Sequence, residues 1–326
     1  MRAVVQDRYG DVDVLRLADI DRPVPRAGEV LVRVRAAGVH IGDWRLMRGL
    51  PLIIRLAYGL RAPRLRVRGE ALAGVVETVG PGVTAFRAGD EVVGTGTGSH
   101  AEYAVARVDR LVARPPSLDW IEAAALPTSS VTALQAVRDL GEVRPGQRLL
   151  LIGATGGVGS YATQLAVAVG AEVTAVCSAA SAELARSLGA REVIDYTATD
   201  PLDPAAGRRF DVVLDAVGDR SIGELRRVLT DDGTLVLVAP APATAGRWLG
   251  GVDRLVAASI GSRFVRQRLR PLASVDRAED LAEVIRHVEA GRVRPVVERT
   301  WPLDQIAEAM RHVGRGHSHG KVVVTV

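Results

Sequence analysis

A glycine-rich turn is the segment whose composition points most directly to chemistry. Residues 153–159 read Gly-Ala-Thr-Gly-Gly-Val-Gly; they follow the apolar run 148–152 and precede a helical pattern over 161–169. Glycines let backbone approach a pyrophosphate closely, and the N–H groups and positive dipole end of the next helix stabilise its charge. This order is the context that a dinucleotide-binding motif requires, and a tight turn without a ligand is the alternative. The interpretation assigns cofactor contacts to Ala154, Thr155, Gly156, Gly157, Val158 and Gly159.

The end of the next strand bears on which dinucleotide binds. Enzymes that prefer NAD place Asp or Glu there, where the carboxylate accepts a hydrogen bond from the ribose 2′-OH. The strand at 172–176 instead leads into Cys177 and Ser178, so nothing repels a 2′-phosphate, and Ser178 and Ser181 could donate hydrogen bonds to it. The pattern favours NADP(H) and leaves NAD(H) open. Ser181 has an alternative role as the cap of a helix that begins near Ala182.

The elements that must position this turn alternate regularly from about residue 121. The patterns predict helix 123–140, strand 148–152, helix 161–169, strand 172–176, helix 182–188, strands 192–194 and 211–214, helix 221–229 and strand 233–238. Such alternation predicts an α/β fold, a doubly wound parallel sheet with right-handed crossovers. Ligands of these sheets bind at the carboxyl ends of the strands, so we expect Gly218 and Ala239 to line the nicotinamide.

The first 120 residues are organised differently. Short strand patterns such as 30–35, 73–79 and 91–93 lie between turn signals and predict an all-β unit. The tail predicts helices at 278–289 and 303–313 around an extended stretch, 293–298, and a last strand, 322–326, that has no strand beside it in sequence. We expect this strand to return to the N-terminal β unit. The predicted domains are a discontinuous one, 1–121 and 276–326, and a dinucleotide-binding one, 122–275.

The composition excludes several classes of protein for this chain. A chain of 326 residues is long enough for two domains, and 48% hydrophobic with 25% charged residues excludes a disordered chain. The single cysteine, Cys177, excludes a disulfide framework and a multi-thiolate metal site, so we expect a cytoplasmic location. No apolar stretch is long and clean enough to span a membrane, and no membrane partner is expected.

The basic residues suggest a nucleic-acid partner that other features do not support. Lys321 is the single lysine among 42 basic residues, the formal net charge is +4, and aromatic residues make up 4%. No stacking pattern of aromatics interleaves with the arginines, so we expect no nucleic acid. Solvated loops are expected for two arginine runs, Arg61, Arg64, Arg66 and Arg68, and Arg263, Arg266, Arg268 and Arg270.

Several segments together resemble one superfamily. They are the glycine turn, Ala-Ala-Ala-Leu-Pro-Thr at 123–128, Val-Arg-Val-Arg-Ala-Ala-Gly-Val at 32–39, Gly-Pro-Gly-Val-Thr at 80–84 with Gly-Asp at 89–90, and the closing Gly-Lys-Val-Val-Val-Thr-Val at 320–326. The chain resembles the medium-chain dehydrogenases/reductases over essentially its whole length, and within them the zinc-free, zeta-crystallin-like quinone oxidoreductases. The resemblance implies a GroES-like β domain, a Rossmann domain, a cofactor cleft between them and a homodimer formed through the Rossmann sheets.

The resemblance also assigns further cofactor residues. Tyr196 matches a tyrosine that the family uses beside the adenosine phosphate, and Thr128 and Lys321 lie in matching segments and are assigned to the cofactor. Ala180 stands where close relatives often carry Arg or Lys facing the 2′-phosphate, which weakens the preference for NADP(H) without restoring a signature for NAD(H).

The zinc-binding branch of the superfamily can be compared position by position. Its ligands would fall at His40, at Glu70 and near Thr128. Threonine is a poor zinc ligand at neutral pH, and the four-cysteine lobe of that branch is absent, so no metal is expected. A zinc alcohol dehydrogenase with His40 and Glu70 as atypical ligands remains the alternative.

His40 is the leading catalytic candidate. The zinc-free branch usually carries Asn there, and an imidazole can donate a hydrogen bond as the amide does and can also deliver a proton. A neutral histidine that only shapes the pocket is the alternative. Asp43 follows in the same segment, Trp44 is expected in the core, and Tyr58 could present its phenol to a substrate carbonyl. His100, His287 and His312 are expected to be solvated.

These residues predict an NAD(P)H-dependent reductase. A hydride would pass to a quinone or to the β-carbon of an enone, both small molecules, with the proton supplied by His40 or water. A conjugated acceptor needs no zinc, because its negative charge is delocalised and hydrogen-bond donors can stabilise it. A dinucleotide-binding protein without turnover is the alternative from another class.

Overall fold

The computed structural model describes residues 1–238, 248–316 and 318–326. These residues form two compact units. Unit 1 comprises Met1–Val131, Asp276–Glu289 and Pro295–Val326, and unit 2 comprises Thr132–Val275 and Ala290–Arg294. Unit 1 is therefore assembled from three stretches of chain, and it continues past the predicted boundary at residue 121.

Unit 1 is built mainly from strands. They are β1 (Arg2–Gln6), β2 (Leu15–Asp19), β3 (Glu29–Val39), β4 (Ala71–Val79), β5 (Glu91–Thr95), β6 (Tyr103–Arg107), β7 (Leu111–Ala113), β14 (Val297–Pro302) and β15 (Lys321–Thr325). In β3, Arg33 and Arg35 are exposed, whereas Val32 and Val34, which alternate with them, are buried. This alternation places one face of the strand in the core, as a period of two requires.

The larger sheet of unit 1 has the order β14-β15-β3-β4-β5-β7, and β6 also pairs with β3. The C-terminal strand β15 lies between β14, to which it is parallel, and β3, to which it is antiparallel. Val323 is paired with Gly38 in this register. Strand β15 thus sits inside the sheet of the N-terminal residues, and both of its edges are hydrogen-bonded.

Helices cover the sheets of unit 1. They are α1 (Ile41–Arg48), α2 (Arg55–Tyr58), α3 (Trp120–Ala125), α9 (Ala278–Glu289) and α10 (Ile306–Gly314). Helix α3 packs against β3, β4 and β15, and α1 packs against α10. A Cβ on Gly314 would come within 2.6 Å of the Trp44 ring, so this glycine lets α10 approach α1 closely. Trp44 is buried, as expected.

The predicted helix over residues 123–140 is wrong as a single element. The structure has α3, then α4 (Ser129–Leu134), then a π-helical segment, Gln135–Leu140. Pro127 lacks the N–H that a continuous helix needs, and Thr128 adopts a φ of 66°. The backbone therefore turns at these two residues.

Unit 2 contains a parallel sheet. Its strands are β8 (Arg148–Ile152), β9 (Glu172–Cys177), β10 (Glu192–Asp195), β11 (Phe210–Asp215), β12 (Leu229–Leu237) and β13 (Arg268–Pro271). Its helices are the second half of α4 (residues 132–134), α5 (Gly159–Val169), α6 (Ala182–Ser187), α7 (Ile222–Arg227) and α8 (Val252–Gly261). The order is β10-β9-β8-β11-β12-β13, and the strands run parallel. The doubly wound order with β8 near the centre agrees with the predicted fold class.

The apolar runs of the sequence form the core of unit 2. Leu150, Val213 and Leu235 lie on neighbouring strands and are fully buried, and Leu225 of α7 packs with them. Helix α8 and strand β13 were not predicted. Strand β13 is short and carries arginines at 268 and 270, so its pattern resembles a loop until it is paired with β12.

In the described parts of the chain, no helix has the length and apolar character needed to cross a bilayer.

Candidate functional site

The glycine turn of unit 2 joins β8 to α5. Gly153 adopts a φ of 80°, and a Cβ on Gly159 would lie 1.9 Å from the Gly153 carbonyl oxygen. Only glycine leaves room for this contact. The N–H groups of Gly153 and Ala154 donate to the Val176 carbonyl, at 3.1 and 3.2 Å, and so tie the turn to the end of β9.

The residues of the turn divide into two groups. Ala154 and Thr155 are buried, and the Ala154 carbonyl accepts a hydrogen bond from Thr163 Oγ1 at 3.1 Å, so these two residues shape the turn. Gly156, Gly157 and Val158 are half-buried at the N-terminus of the 11-residue helix α5, and the Gly156 N–H donates to the Gly153 carbonyl at 3.2 Å. Such a backbone beside a helix dipole fits a dinucleotide pyrophosphate.

The predicted ribose residues lie at the same edge of the sheet. Ser178 follows β9, and the N–H of Tyr196, which follows β10, donates to the Cys177 carbonyl at 3.2 Å. Tyr196 is 43% exposed. Ser181 is buried, its Oγ lies 3.3 Å from Ser178 Oγ, and its side chain makes no capping hydrogen bond to α6. Ser178 is therefore the more accessible of the two hydroxyls.

Gly218 is held by a residue that the sequence analysis did not single out. Asp215, at the end of β11, accepts hydrogen bonds at Oδ1 from the N–H groups of Val217, at 3.1 Å, and Gly218, at 2.9 Å. Its other oxygen, Oδ2, pairs with Arg254 of α8, and the Asp215 side chain is completely buried. In the sequence, the position of Asp215 at the end of an apolar strand pattern could have identified it as a functional candidate. Ala239 lies outside the described residues.

The catalytic candidates lie in unit 1, where β3 ends and α1 begins. His40 precedes the first residue of α1, and its N–H donates to Asp43 Oδ2 at 3.0 Å. The same oxygen lies 3.5 Å from His40 Nε2. The Asp43 side chain is 1% exposed and the His40 side chain 14% exposed, so the carboxylate lies behind the ring and part of the ring reaches the surface.

Two further carboxyl groups act on His40. Glu70 Oε2 lies 3.9 Å from His40 Nε2. Partial burial raises the pKa of the Glu70 carboxyl, and the nearby His40 opposes this rise. Burial also raises the pKa of the Asp276 carboxyl, again opposed by His40. Three carboxyl groups, those of Asp43, Glu70 and Asp276, therefore lie near the His40 ring.

Lys321 lies at the start of β15 and is turned into unit 1. It is 2% exposed, and Nζ donates to Ser129 Oγ at 2.9 Å. Burial lowers the pKa of Lys321 to about 8, and the charge of Asp43 opposes this shift. Lys321 stays a predicted cofactor contact, and its side chain is buried.

Thr128 lies beside this lysine. The Ser129 N–H donates to the Pro127 carbonyl at 2.7 Å, closing a tight turn around Thr128 at its φ of 66°. A threonine in this region of backbone space is strained, and such strain is typical of functional sites. Thr128 is half-buried and stays a predicted cofactor contact.

The structure differs from three expectations of solvent exposure, those for His100, Arg68 and His312. His100 is fully buried because its N–H donates to the Arg68 carbonyl and its carbonyl accepts from Val4, which joins it to neighbouring strands. Arg68 is 4% exposed, and its Nε donates to Gln6 Oε1 at 3.1 Å. Burial lowers the pKa of His100. His312 is only partly exposed and pairs with Glu298 at 3.0 Å.

Tyr58 lies apart from the buried groups, at the end of α2. It is 40% exposed. The Tyr9 hydroxyl donates to the Gly59 carbonyl at 2.7 Å, and the Arg64 N–H donates to the Tyr58 carbonyl at 2.8 Å, so the loop around Tyr58 is anchored by its backbone.

Among residues 1–238, 248–316 and 318–326, no group of three or more His, Cys, Asp or Glu side chains is arranged to hold a metal ion. His40, Glu70 and Thr128 include only two such side chains.

Two family models match the chain. Residues 26–116 match the alcohol dehydrogenase GroES-like domain, and residues 188–324 match the zinc-binding dehydrogenase family. The chain is similar to a chloroplast envelope quinone oxidoreductase homologue of Arabidopsis thaliana, with 31% identity over 99% of this chain and 98% of the relative. It is also similar to the mitochondrial NAD(P)H oxidoreductase RTN4IP1 of Homo sapiens, with 32% identity over 100% of this chain and 89% of the relative.

Among solved structures, the quinone oxidoreductase of Coxiella burnetii superposes with a TM-score of 0.84 at 28% identity, covering 100% of this chain and 99% of that one. The fold and the dinucleotide turn define an oxidoreductase with a GroES-like and a Rossmann-like unit. The chain belongs to the medium-chain dehydrogenase/reductase superfamily, a family with NAD(P)H-dependent oxidoreductases. The predicted resemblance and fold class are confirmed.

Proposed function

We propose that this protein is a zinc-independent NADPH-dependent reductase of quinones or α,β-unsaturated carbonyl compounds. The observation that carries the proposal is the turn between β8 and α5, in which Gly159 packs on the Gly153 carbonyl and Gly156, Gly157 and Val158 are half-buried at the N-terminus of α5. The sequence similarity to quinone oxidoreductases supports the acceptor class.

The residues of unit 2 would bind the dinucleotide. The backbone at Gly156, Gly157 and Val158 would hold the pyrophosphate, and Ser178 and Tyr196 the adenosine ribose and its phosphate. Gly218 would face the nicotinamide, held in place by Asp215. The absence of an acid at the end of β9 favours the 2′-phosphate of NADPH. When bound, the cofactor supplies a hydride.

The residues of unit 1 would supply the proton to the acceptor. His40 donates it to the acceptor, and Asp43 orients the ring from behind through Oδ2. Glu70, whose Oε2 lies 3.9 Å from His40 Nε2, places a second carboxyl group beside the ring. Tyr58 offers a second donor to the acceptor oxygen from its loop.

A turnover assay tests this function. NADPH and NADH consumption is followed with a panel of quinones, enones and aldehydes, and with alcohols in the reverse direction. The proposal expects oxidation of NADPH by quinones or enones, with His40→Ala slowing turnover by about 100-fold while NADPH binding is retained. NADPH binding without turnover on any acceptor would favour a non-catalytic protein. Stoichiometric zinc that His40→Ala removes would favour the alcohol dehydrogenase alternative.

We also propose a homodimer formed through unit 2. Strand β13 ends the sheet order, and Val256 and Ile260 of α8 and Phe264 after it are large apolar side chains at least half exposed. An unpaired strand edge beside an apolar helix face is typical of a self-association surface. Light scattering after size-exclusion chromatography should give twice the chain mass, and Ile260→Arg should give the monomer, whereas Val24→Arg, at an exposed valine of unit 1, should leave the dimer intact.

The proposed compartment is the cytoplasm, since a single buried cysteine suits a reducing environment. Two similar proteins are named for the chloroplast envelope and for mitochondria. Cell fractionation therefore tests the proposed compartment.

A further inference from the structure

The segment of unit 1 between α1 and β4, which includes α2, carries several exposed apolar side chains. Leu56, Leu60 and Leu65 are 68, 67 and 50% exposed, and Tyr58 lies among them. A single exposed leucine is ordinary at a protein surface, whereas a group of large apolar side chains in one region marks an interaction site. We refer to residues 52–66 as the exposed loop.

Backbone contacts fix the shape of the exposed loop. The Arg64 N–H donates to the Tyr58 carbonyl at 2.8 Å, and the Tyr9 hydroxyl donates to the Gly59 carbonyl at 2.7 Å. Gly59 and Pro63 are buried, although the residues around them are exposed. The chain therefore closes into a compact loop, and its exposed leucines belong to one small region of the surface.

The same region is strongly basic. Residues 44–69 contain seven arginines and no acidic residue. Asp7, from β1 and its following turn, pairs with Arg66 at 2.6 Å. Arg61 and Arg64 are exposed, and Arg64 Nη1 donates at 3.1 Å to a backbone carbonyl of the loop, which carries no net charge. Arg61 and Arg64 thus place positive charge next to the exposed leucines in sequence.

Exposed leucines that alternate with arginines complement a bilayer with anionic lipids. The phosphate groups of the lipids bind guanidinium groups, and the acyl region beneath them accepts apolar side chains. The long arginine side chains can keep their charge at the level of the headgroups while the leucines enter more deeply. Nucleic acid would satisfy the arginines but offers no aliphatic surface to the leucines.

We propose that the exposed loop is a docking surface for an anionic membrane. Its exposed leucines enter the edge of the acyl region, and Arg61 and Arg64 bind lipid phosphates. The contact is peripheral and goes beyond the expectation of no membrane partner, which rested on the lack of a spanning segment. It is independent of the proposed reductase activity and of the dimer surface proposed on α8.

The first test is cosedimentation of the full chain with vesicles. They contain phosphatidylcholine alone or with about 30% phosphatidylglycerol. The proposal expects binding to the anionic vesicles that is at least about 10-fold tighter than binding to the neutral ones. This binding should weaken when salt rises from about 0.1 to about 1 M, because the screening length shortens from ~10 to ~3 Å. No binding to the anionic vesicles, or equal binding to both, would overturn the proposal.

The second test removes the two components of the surface separately. The pair Leu56→Ser and Leu60→Ser deletes apolar area, and the pair Arg61→Gln and Arg64→Gln deletes positive charge. Each pair should weaken binding to the anionic vesicles at least about 10-fold, because insertion and phosphate binding act together. Parent-like binding by either pair would contradict the proposal. So would self-association of the parent that these pairs abolish without any binding to vesicles, which would assign the loop to a second copy of the chain.

Matched controls lie at the other end of β3 and β4. The exposed loop precedes β4, whereas Val24 and Arg26 precede β3 and Arg87 follows β4, and these two strands are antiparallel. Val24→Ser with Val79→Ser, and Arg26→Gln with Arg87→Gln, change exposed residues of the same types. Both control pairs should bind the anionic vesicles as the parent does. Control pairs that lose as much binding as the loop pairs would show that no particular surface is used.

A third measurement reports how deeply the loop enters the bilayer, and it does not depend on the serine variants being folded. Leu60→Trp and Val24→Trp each add an indole at an exposed site. Lipids brominated on their acyl chains quench indoles that enter the bilayer. The proposal expects quenching beyond that of the parent in Leu60→Trp and parent-like quenching in Val24→Trp. Equal quenching in the two variants, or none added in Leu60→Trp, would overturn it.

Discussion

Asp43 Oδ2 accepts a hydrogen bond from the N–H of His40 at 3.0 Å and lies 3.5 Å from the Nε2 atom of the same residue. One carboxylate oxygen therefore stabilises the start of α1 and orients the ring that precedes it. The hydrogen bond from the His40 N–H contributes to the stability of α1. The contact with Nε2 instead affects the position of the His40 ring, the proposed proton donor. Variants that separate these two effects are the most informative.

Gly42→Ala separates them without replacing either residue. A Cβ at Gly42 would lie 2.7 Å from His40 Cε1 and Nδ1, so the ring must move, while alanine in the first turn of α1 favours the helix. We expect kcat to fall about 10-fold or more and the free energy of unfolding to stay within about 0.5 kcal/mol of the parent value or to increase. Steady-state kinetics and urea unfolding measure the two. Parent-like kcat would show that the position of the His40 ring is unimportant.

Gly159→Ala should abolish dinucleotide binding. Its Cβ would lie 1.9 Å from the Gly153 carbonyl oxygen. This oxygen belongs to the backbone, which moves aside at a higher energetic cost than a flexible side chain does. The matched control is Gly207→Ala in the same unit, where φ is 63° and no atom lies within 4 Å of the added Cβ. The control carries only the strain of a positive φ, about 1 kcal/mol. Calorimetric titration with NADPH should show no binding to Gly159→Ala and parent-like binding to Gly207→Ala.

Asp215→Asn should destabilise unit 2 and weaken cofactor binding. It leaves Arg254, whose side chain is 13% exposed, without its buried anion, at a cost of about 3 kcal/mol. Asp232→Asn breaks the ion pair with Arg266, in which both side chains are 75% exposed, and should cost less than about 0.5 kcal/mol. Denaturant unfolding compares the two variants with the parent. Equal effects would mean that burial of the first pair is unimportant.

Ser178→Asp should reverse the cofactor preference. A carboxylate at the end of β9 repels the 2′-phosphate of NADPH and can accept a hydrogen bond from the 2′-OH of NADH. We expect the ratio of kcat/KM for NADPH over that for NADH to fall at least about 10-fold. Ser181→Asp, at a buried hydroxyl, should unfold or fail to switch the preference, and an unchanged ratio in Ser178→Asp would place the ribose elsewhere.

The stability of the protein should depend on pH through Lys321. Burial lowers its pKa from 10.5 to about 8. Between these two values the unfolded chain holds the proton and the folded chain has lost it, so the free energy of unfolding rises with pH across this window. A shift of this size corresponds to about 3 kcal/mol. The difference in unfolding free energy between the parent and Lys321→Met isolates this term, because it cancels the titration of other groups; a difference that does not change between about pH 7 and pH 10.5 would contradict it.

Local patterns of the sequence predicted much of the fold. The conformation of the turn at 153–159 and of the elements around it is determined by residues that are close in sequence. For this reason β8 and α5 begin and end close to the predicted positions. The helix predicted over 123–140 failed because Pro127 and the strained Thr128 outweigh a helical period. Strand β13 could not be found from its arginine-rich sequence, because its pairing with β12 is what makes it a strand.

The candidate site was predictable only where its residues are close in sequence. His40 and Asp43 are three residues apart and were named together. Ser129 and Lys321 are separated by 192 residues, and their contact depends on where β15 enters the sheet. The burial of His100 and Arg68 has the same origin, since it follows from the pairing of distant segments. Asp215 was missed because an acid after an apolar run is typical of many loops.

The place of β15 between β14 and β3 has a consequence for biosynthesis. A chain emerging from the ribosome exposes β3 long before β15 exists, so the edge of β3 that later pairs with Val323 stays open through most of translation. Unit 2, whose strands and helices precede residue 276, can close first. The GroES-like unit is completed last, and with it the contact between Lys321 and Ser129, so a nascent or truncated chain would assemble its dinucleotide turn before this unit.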